Sequence, residues 1–311
     1  MDGKKVLFVG LGFYNYDSAI KATLDEMGYD TVYATSLVDL GVTGKLFKKL
    51  CLGAINRRRA DNRVWQNILA SRTDNDIIFV IKGENLTRRH LEYLKQKNPK
   101  ARFVLYLWDN LDKIHNRDIL LPYFDKISSF DPSDCLCHKD FFFRPLFYQK
   151  KGSGSASYKY DISFIGEDRP GRYRFLKKVA SLLPSDKNVY FRLKSSVLRT
   201  VIDKITGHRL CNNLKLPYDE FCQVTDSSKA VLDIVEENQS GLTMRTIEAL
   251  AMGKHLYTTN REIQNAPHIS PSSFTVLDVD KPVLELGKEG GQDAGFYEYY
   301  SLRHCLSDIL E

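Results

Sequence analysis

Short apolar runs alternate with amphipathic stretches along the first half of the chain. Runs of roughly four to eight apolar residues between turn signals predict buried strands. These runs occupy residues 5–9, 30–34, 76–81, 102–107 and 126–130, with predicted helices at 18–27 and 85–97. Strands of this length that alternate with helices predict an α/β domain whose parallel sheet is covered on both faces.

The same alternation returns after a polar, Gly- and Ser-rich stretch at residues 149–160, which has the composition of a linker. Further strands are predicted at 161–165, 189–193 and 230–235, helices at 172–183 and after residue 241, and a C-terminal helix at 297–310. We expect an N-terminal Rossmann-like domain at 1–150 and a second at 151–295. The helix in 296–311 is expected to pack back on the first domain, and two such domains face each other across a central cleft.

Composition narrows the class of protein. The 311 residues suffice for two domains, and 43% of them are hydrophobic. The six cysteines are scattered, which fits free thiols in a reducing cytoplasm, and Cys135-Leu-Cys137-His138 lacks the usual zinc-site spacing. The first residues predict a strand instead of a signal peptide, and no apolar run reaches membrane-spanning length. A cytoplasmic protein without a metal site is the expectation.

A basic amphipathic segment covers residues 44–64, where apolar positions alternate with cations. Its cations include Lys45, Lys48, Lys49, Arg57, Arg58 and Arg59. Such a segment can lie on an anionic membrane surface. It can equally be a solvated helix whose apolar side belongs to the core, and both interpretations stay open. The net charge of +6 is moderate, and aromatic residues are not interleaved in a stacking pattern, so nucleic acid is not expected as a partner.

The stretch 239–259 carries the clearest binding signal. Ser240 or Gly241 can cap a helix that presents Arg245 and Glu248 on one face and ends at Gly253. The unpaired amides and the dipole at a helix N-terminus attract anions, and an arginine adds a bidentate phosphate contact. An ordinary surface helix with an i, i+3 ion pair would give the same pattern.

A glycine pair, Gly10 and Gly12, ends the first predicted strand. A third glycine in register is missing, so the dinucleotide fingerprint is incomplete and an NAD site is not expected. Gly12 is kept as a candidate for acceptor contacts.

The second half resembles a known family. Residues 161–166 (DISFIG) with Arg169 and Arg172, residues 216–221 (LPYDEF), residues 231–234 (VLDI) and residues 241–253 (GLTMRTIEALAMG) are similar to GT-B glycosyltransferases, in the group with spore-maturation-like transferases. Chain length and the basic segment also resemble the lipopolysaccharide core rhamnosyltransferases of enteric bacteria. The motifs span about residues 161–260.

This resemblance implies a nucleotide-diphosphate sugar, such as dTDP-L-rhamnose, in the C-terminal domain and a lipopolysaccharide or lipid-linked glycan acceptor on the N-terminal domain. The helix after Gly241 would receive the diphosphate, Arg245 would neutralise it, and Glu248 would lie near the ribose. The donor site implied comprises Gly166, Arg169, Lys194, Tyr218, Ser240, Gly241, Leu242, Thr243, Arg245 and Glu248. The family needs no metal or cofactor, and such an enzyme would be peripheral at the cytoplasmic face of the bacterial inner membrane.

The family's retaining members often carry two acidic residues seven apart around this helix. Neither Glu236 nor Glu237 has that spacing from Glu248, so we expect an inverting hexosyltransferase. Inversion needs a base on the acceptor hydroxyl. Asp17 and Asp109, which follow N-terminal strands, are the candidates. A nucleotide-sugar epimerase and a non-catalytic nucleotide-binding protein at the membrane surface remain as alternatives.

Overall fold

The computed structural model describes residues 3–12, 15–36, 53–154, 157–236 and 239–311. In these residues, twelve strands form two six-stranded sheets, and every pair of neighbouring strands is parallel. The strands are β1 (Lys5–Gly10), β2 (Asp30–Thr35), β3 (Ile77–Ile81), β4 (Arg102–Leu107), β5 (Lys126–Ser129), β6 (Phe141–Phe143), β7 (Tyr160–Glu167), β8 (Val189–Lys194), β9 (Cys211–Asn212), β10 (Ser228–Asp233), β11 (His255–Thr258) and β12 (Phe274–Val276).

Helices connect most of the successive strands. They are α1 (Tyr16–Glu26), α2 (Gly53–Leu69), α3 (Arg88–Lys97), α4 (Arg117–Leu120), α5 (Pro132–Cys137), α6 (Arg172–Leu182), α7 (Val197–Ile205), α8 (Tyr218–Asp226), α9 (Met244–Ala251), α10 (Ala294–Tyr299) and α11 (Leu302–Leu310). The predicted α/β class with two Rossmann-like domains is therefore confirmed. Among the helices described, none combines the length and apolarity that crossing a bilayer requires.

The chain divides into two compact units. Unit 1 comprises Met1–Pro145 and Leu302–Glu311, and unit 2 comprises Leu146–Ser301. The first unit thus ends at Pro145 rather than at residue 150, because residues 146–148 pack with unit 2. The C-terminal segment predicted as one helix is two: α10 lies in unit 2 and α11 in unit 1.

The sheet of unit 1 has the strand order β2-β1-β3-β4-β5-β6. Its central strands β1, β3 and β4 are almost entirely buried because helices cover both faces. Helix α11 is tied to β4 by Arg102, whose Nη1 donates to the Leu310 carbonyl at 2.9 Å. Buried Arg144 pairs with Asp308 at 2.8 Å. These contacts make the C-terminal residues part of unit 1.

The sheet of unit 2 has the order β12-β11-β10-β7-β8-β9. The chain builds outward from β7 in one direction and then, beginning with β10, in the other. The strand order therefore reverses between β7 and β10. In open parallel sheets, ligands bind beyond the carboxyl ends of the strands at such a switch point. Unit 2 thus has a defined place where a ligand site is expected.

Candidate active site

Two arginines bridge the switch point of unit 2. Arg172 opens helix α6 and donates from Nη1 to the Glu167 carbonyl at 2.8 Å and from Nη2 to the Ile234 carbonyl at 2.6 Å. Arg245, in the first turn of α9, donates from Nε to the Ile165 carbonyl at 2.9 Å. Both side chains thus reach across the carboxyl ends of β7 and β10.

A fully buried carboxylate anchors Arg245. Asp233 ends β10 with 0% exposure, and its Oδ1 lies 2.8 Å from Nη1 of Arg245. Three threonine hydroxyls donate to the same carboxylate at 3.0–3.2 Å: those of Thr243, Thr246 and Thr258. A buried charge is tolerated only when it is paired and hydrogen-bonded in this way. The network fixes the start of α9 against the switch point.

The two guanidinium groups lie close enough to repel each other. Both contact the ring of Phe164, with Cζ to centroid distances of 5.6 Å for Arg172 and 4.7 Å for Arg245. Burial, reinforced by repulsion from Arg245, lowers the pKa of Arg172 to about 10. The Nε of Arg172 is buried without a hydrogen-bond partner among the described residues. An anion at this edge would relieve the repulsion and accept that bond.

A cationic pocket adjoins these arginines. Two open cavities of about 590 Å³ each lie at the ends of β7 and β8 and share Asp168, Arg169 and Arg199. The side chains of Arg174, Lys177 and Lys194 supply further positive charge to one cavity or the other. Helix α6 begins here after Gly171, whose φ of 78° is left-handed. The positive end of the α6 dipole therefore faces the same space, which suits a phosphorylated ligand.

Predicted donor residues Arg169 and Lys194 line this pocket. Arg169 is 52% exposed and pairs with Glu167 at 2.8 Å and more loosely with Glu236 at 3.6 Å. Lys194 is exposed, and no ion pair holds it within the described part of the chain. Gly166 lies directly beneath Arg245, because a Cβ at this position would meet Nη2 at 2.9 Å. The structure thus groups these three residues around the arginine bridge.

The cap of α9 differs from the prediction. Thr243, not Ser240 or Gly241, is the N-cap, and its hydroxyl accepts from the Thr246 amide at 3.1 Å. The carbonyls of Ser240 and Gly241 accept from the side-chain amide of Asn260 at 3.1 and 3.3 Å. The preceding turn is consequently held by a residue that follows β11. The side chain of Leu242 packs in the apolar core.

Glu248 and Tyr218 contact each other. The Tyr218 hydroxyl donates to Oε1 of Glu248 at 2.5 Å, and both residues are buried. Burial and the neighbouring carboxylate raise the pKa of Tyr218. The alternative interpretation, an i, i+3 ion pair between Arg245 and Glu248, is not what the structure has: Arg245 pairs with Asp233, and Glu248 accepts from Tyr218. A ribose contact by Glu248 would require this buried pair to open.

Unit 1 places its two candidate bases differently. Asp17 is 5% exposed, and its Oδ2 accepts from the Gly12 amide at 2.5 Å and from the Tyr33 hydroxyl at 2.7 Å. A side chain at Gly10 would collide with this carboxylate. Asp17 therefore closes the β1–α1 turn, in which Gly12 adopts a left-handed φ of 63°.

Asp109 is more accessible. Its side chain, 39% exposed, lies 2.7 Å from Nζ of Lys82 at the carboxyl end of the sheet. Lys82 also pairs with Glu84 at 2.9 Å and has a left-handed φ of 63°. Such a backbone conformation is uncommon in a non-glycine residue, although Asp74, Arg209 and His268 share it. The carboxylates raise the pKa of Lys82 against the opposing effect of burial.

The basic segment is described only in part. Lys45, Lys48 and Lys49 lie outside the described residues, as does the side chain of Arg57. Arg58 and Arg59 lie on α2, which begins at Gly53. The prediction for membrane contact by this segment therefore stays a prediction.

Comparison with known proteins identifies the architecture. No family model and no curated sequence matches this chain. AviGT4, a glycosyltransferase involved in avilamycin A biosynthesis, matches with a TM-score of 0.59 over 99% of this chain and 96% of its own, at 10% identity. The protein has the GT-B fold. The N-terminal domain of trehalose-6-phosphate phosphatase from Candida albicans matches with a TM-score of 0.56 over 98% of this chain and 89% of its own, also at 10% identity.

The sequence alone singled out neither Arg172 nor Asp233 as site residues. Arg172 was noted only as part of the motif that resembles a known family, and Asp233 only as part of an apolar run that predicts a strand. Their roles depend on contacts with residues 62 and 12 positions away, Ile234 and Arg245. An acidic residue at the end of an otherwise apolar strand was the available signal for Asp233, because a buried charge requires a partner.

Proposed function

We propose that the protein is a metal-independent, inverting glycosyltransferase that takes its donor from a nucleotide-diphosphate sugar bound in unit 2. The observation that carries this proposal is the arginine bridge of Arg172 and Arg245 at the β7–β10 switch point. Its repelling cations, its buried free donor and the adjoining cationic pocket match the charge and oxygen acceptors of a diphosphate. These cations would stabilise the diphosphate as it leaves the sugar.

Asp109 is the better candidate for the base. A base must reach the acceptor hydroxyl, and Asp109 is part-exposed whereas Asp17 is nearly buried and accepts two hydrogen bonds. Proton removal by Asp109 would make the acceptor oxygen a nucleophile for the anomeric carbon. The bond between that carbon and the diphosphate oxygen would break as the new glycosidic bond forms. Lys82 would hold the carboxylate in position.

The finer specificity rests on the sequence resemblance. This resemblance supports L-rhamnose as the sugar and dTDP as the nucleotide. It also supports a lipopolysaccharide core or another lipid-linked glycan as the acceptor. The same resemblance supports a peripheral location at the cytoplasmic face of the inner membrane.

A thermal-shift panel of nucleoside diphosphates tests the donor site. A ligand at ~100 times its dissociation constant stabilises the folded state by about 2.7 kcal/mol. We expect one nucleotide to raise the melting temperature, and Arg169→Ala or Lys194→Ala to weaken its binding about tenfold each. Lys187→Ala is the matched control, because Lys187 is part-exposed, pairs with Asp186 and precedes β8, at the opposite end of that strand.

Product analysis with a radiolabelled donor then tests the reaction. Label transferred to an acceptor with inverted anomeric configuration supports the proposal. Label that changes sugar identity without any acceptor would instead indicate an epimerase. Nucleotide binding with neither outcome, across lipid-linked acceptors, would indicate a non-catalytic binding protein, and no nucleotide binding at all would contradict the donor site.

A further inference from the structure

Helix α7 in unit 2 directs its apolar side chains into solvent. Nine residues long, it carries five large aliphatic side chains that remain exposed: Val197 at 64%, Leu198 at 70%, Val201 and Ile202 at 47% each, and Ile205 at 80%. Leu214, in the segment that follows β9, is 65% exposed. A contiguous apolar face of this kind marks a binding surface.

The buried side of α7 is polar instead. Its buried residues are Thr200 and Asp203. The Asp203 carboxylate accepts from the Tyr173 hydroxyl and from the Cys211 amide, both at 2.6 Å, and the Thr200 hydroxyl donates to the Ser196 carbonyl at 2.9 Å. The two bonds of Asp203, to α6 and to β9, therefore fix the helix in this orientation, the reverse of the usual pattern for a helix in water.

The exposed charges on residues 194–215, the segment that carries this face, have one sign, although one of them, Arg199, also pairs at 3.5 Å with the part-buried Asp168 outside the segment. Residues 194–215 contain a single carboxylate, that of buried Asp203. The exposed charged side chains in this range are all basic: Lys194, Arg199, Lys204, Arg209 and Lys215. A second copy of the same face would bring five more cations against them, which like-charge repulsion disfavours. An anionic surface complements both the apolar stripe and its basic margin.

We propose that the α7 face docks unit 2 on an anionic lipid bilayer, with the aliphatic side chains at the level of the acyl boundary and the lysines and arginines among the headgroups. This surface is separate from the predicted basic segment at 44–64. It needs no transferase activity, so it stands or falls independently of the proposed function. Ser196 and Arg199 border both the face and the cationic pocket, which docking would bring near the headgroups.

Vesicle co-sedimentation tests the proposal on the full chain. We expect binding to vesicles of phosphatidylethanolamine with phosphatidylglycerol, and weak binding to pure phosphatidylcholine. Leu198→Ser combined with Ile205→Ser should weaken binding about tenfold or more. Lys204→Gln combined with Arg209→Asn should also weaken vesicle binding about tenfold. Added salt should weaken the binding of the wild type in the same way, because it screens these charges. Asparagine suits position 209 because its φ of 56° is left-handed.

Leu182→Ser combined with Val279→Ser is the matched control, since both side chains are exposed elsewhere on unit 2, at 54% and 58%. Circular dichroism of every variant establishes that the fold is intact. Lys45→Gln, Lys48→Gln and Lys49→Gln together should leave most of the binding in place.

Three results would overturn the proposal: no binding by the wild type, equal binding to neutral vesicles, or binding that survives the α7 changes but not the 45–49 changes. A stable dimer that Leu198→Ser and Ile205→Ser dissociate would assign the face to a second copy instead.

Discussion

The two units share one architecture but carry opposite chemistry where their strands end. Unit 1 gathers the carboxylates of Asp17, Glu84 and Asp109, with Lys82 paired between the last two. Unit 2 gathers arginines, two of which repel each other beside one buried carboxylate. The fold sets where a ligand binds, whereas the side chains at the switch point decide its charge. The contrast is consistent with the proposed transfer, in which Asp109 would act as the base and the arginines would bind the diphosphate.

The largest expected effect is on the free energy of unfolding, and it should distinguish the buried arginine Arg245 from the exposed arginine Arg169 in unit 2. Arg245→Ala leaves Asp233 buried without its cation, and removing one partner of a buried pair costs about 3–5 kcal/mol. Arg169→Ala, at a side chain that is 52% exposed, should change stability by no more than about 0.5 kcal/mol. Urea denaturation monitored by circular dichroism measures both. Equal small losses would mean that the arginine bridge is not structural.

The next effect distinguishes the two carboxylates of unit 1. Asp109→Asn should lower kcat about 10²–10⁴-fold, because it removes a general base, while the nucleotide-induced thermal shift is kept. Asp112→Asn is the control, since that residue is exposed and paired with Arg117. Asp17→Asn should mainly reduce stability, by weakening the acceptor for Gly12 and Tyr33. If Asp17→Asn abolishes turnover in a folded protein and Asp109→Asn does not, the assignments are reversed.

The smallest expected effect is a pH dependence of stability, to which one buried histidine in each unit contributes. Burial lowers the pKa of His90 in unit 1 and of His255 in unit 2 below the usual 6.5. Below about pH 6.5 the unfolded chain binds protons that the folded chain resists, so stability should fall as pH drops from about 7.5 to about 5.5. Unfolding curves at both pH values measure this slope.

His90→Gln should flatten the slope. Glutamine can still accept the Thr87 amide that Nδ1 of His90 accepts at 3.0 Å, but it cannot titrate. An unchanged slope in both His90→Gln and His255→Gln would place the acid sensitivity elsewhere.

Most of the strands were predictable because burial on both faces of a sheet produces apolar runs in the sequence. The short edge strands β6 and β9 were not predicted. Residues 102–107 match β4 residue for residue, and the other predicted strands differ from the observed ones mainly at their ends. The left-handed Gly253 after α9 was likewise foreseeable, since glycine favours that conformation.

The site was less predictable because its contacts join distant residues. Ser240, Gly241 and Thr243 are all acceptable caps by residue type. Thr243 is the observed cap, and its hydroxyl also contacts Asp233, which lies ten positions earlier at the end of β10. The exposed apolar face of α7 was hidden for the same reason: its spacing is that of an ordinary amphipathic helix, and only the packing of Asp203 reveals which side faces inward.

The return of α11 to unit 1 has a consequence for synthesis. Unit 2 is one continuous stretch, so all its residues are synthesised before the last part of unit 1, which begins at Leu302. Until then β4 lacks the helix that Arg102 and Arg144 hold, and Arg144 lacks Asp308. Domains usually fold in order from the N-terminus during translation. Here unit 1 is the first to be started, yet it receives its full set of residues last, so its complete contacts cannot form before unit 2 has been synthesised.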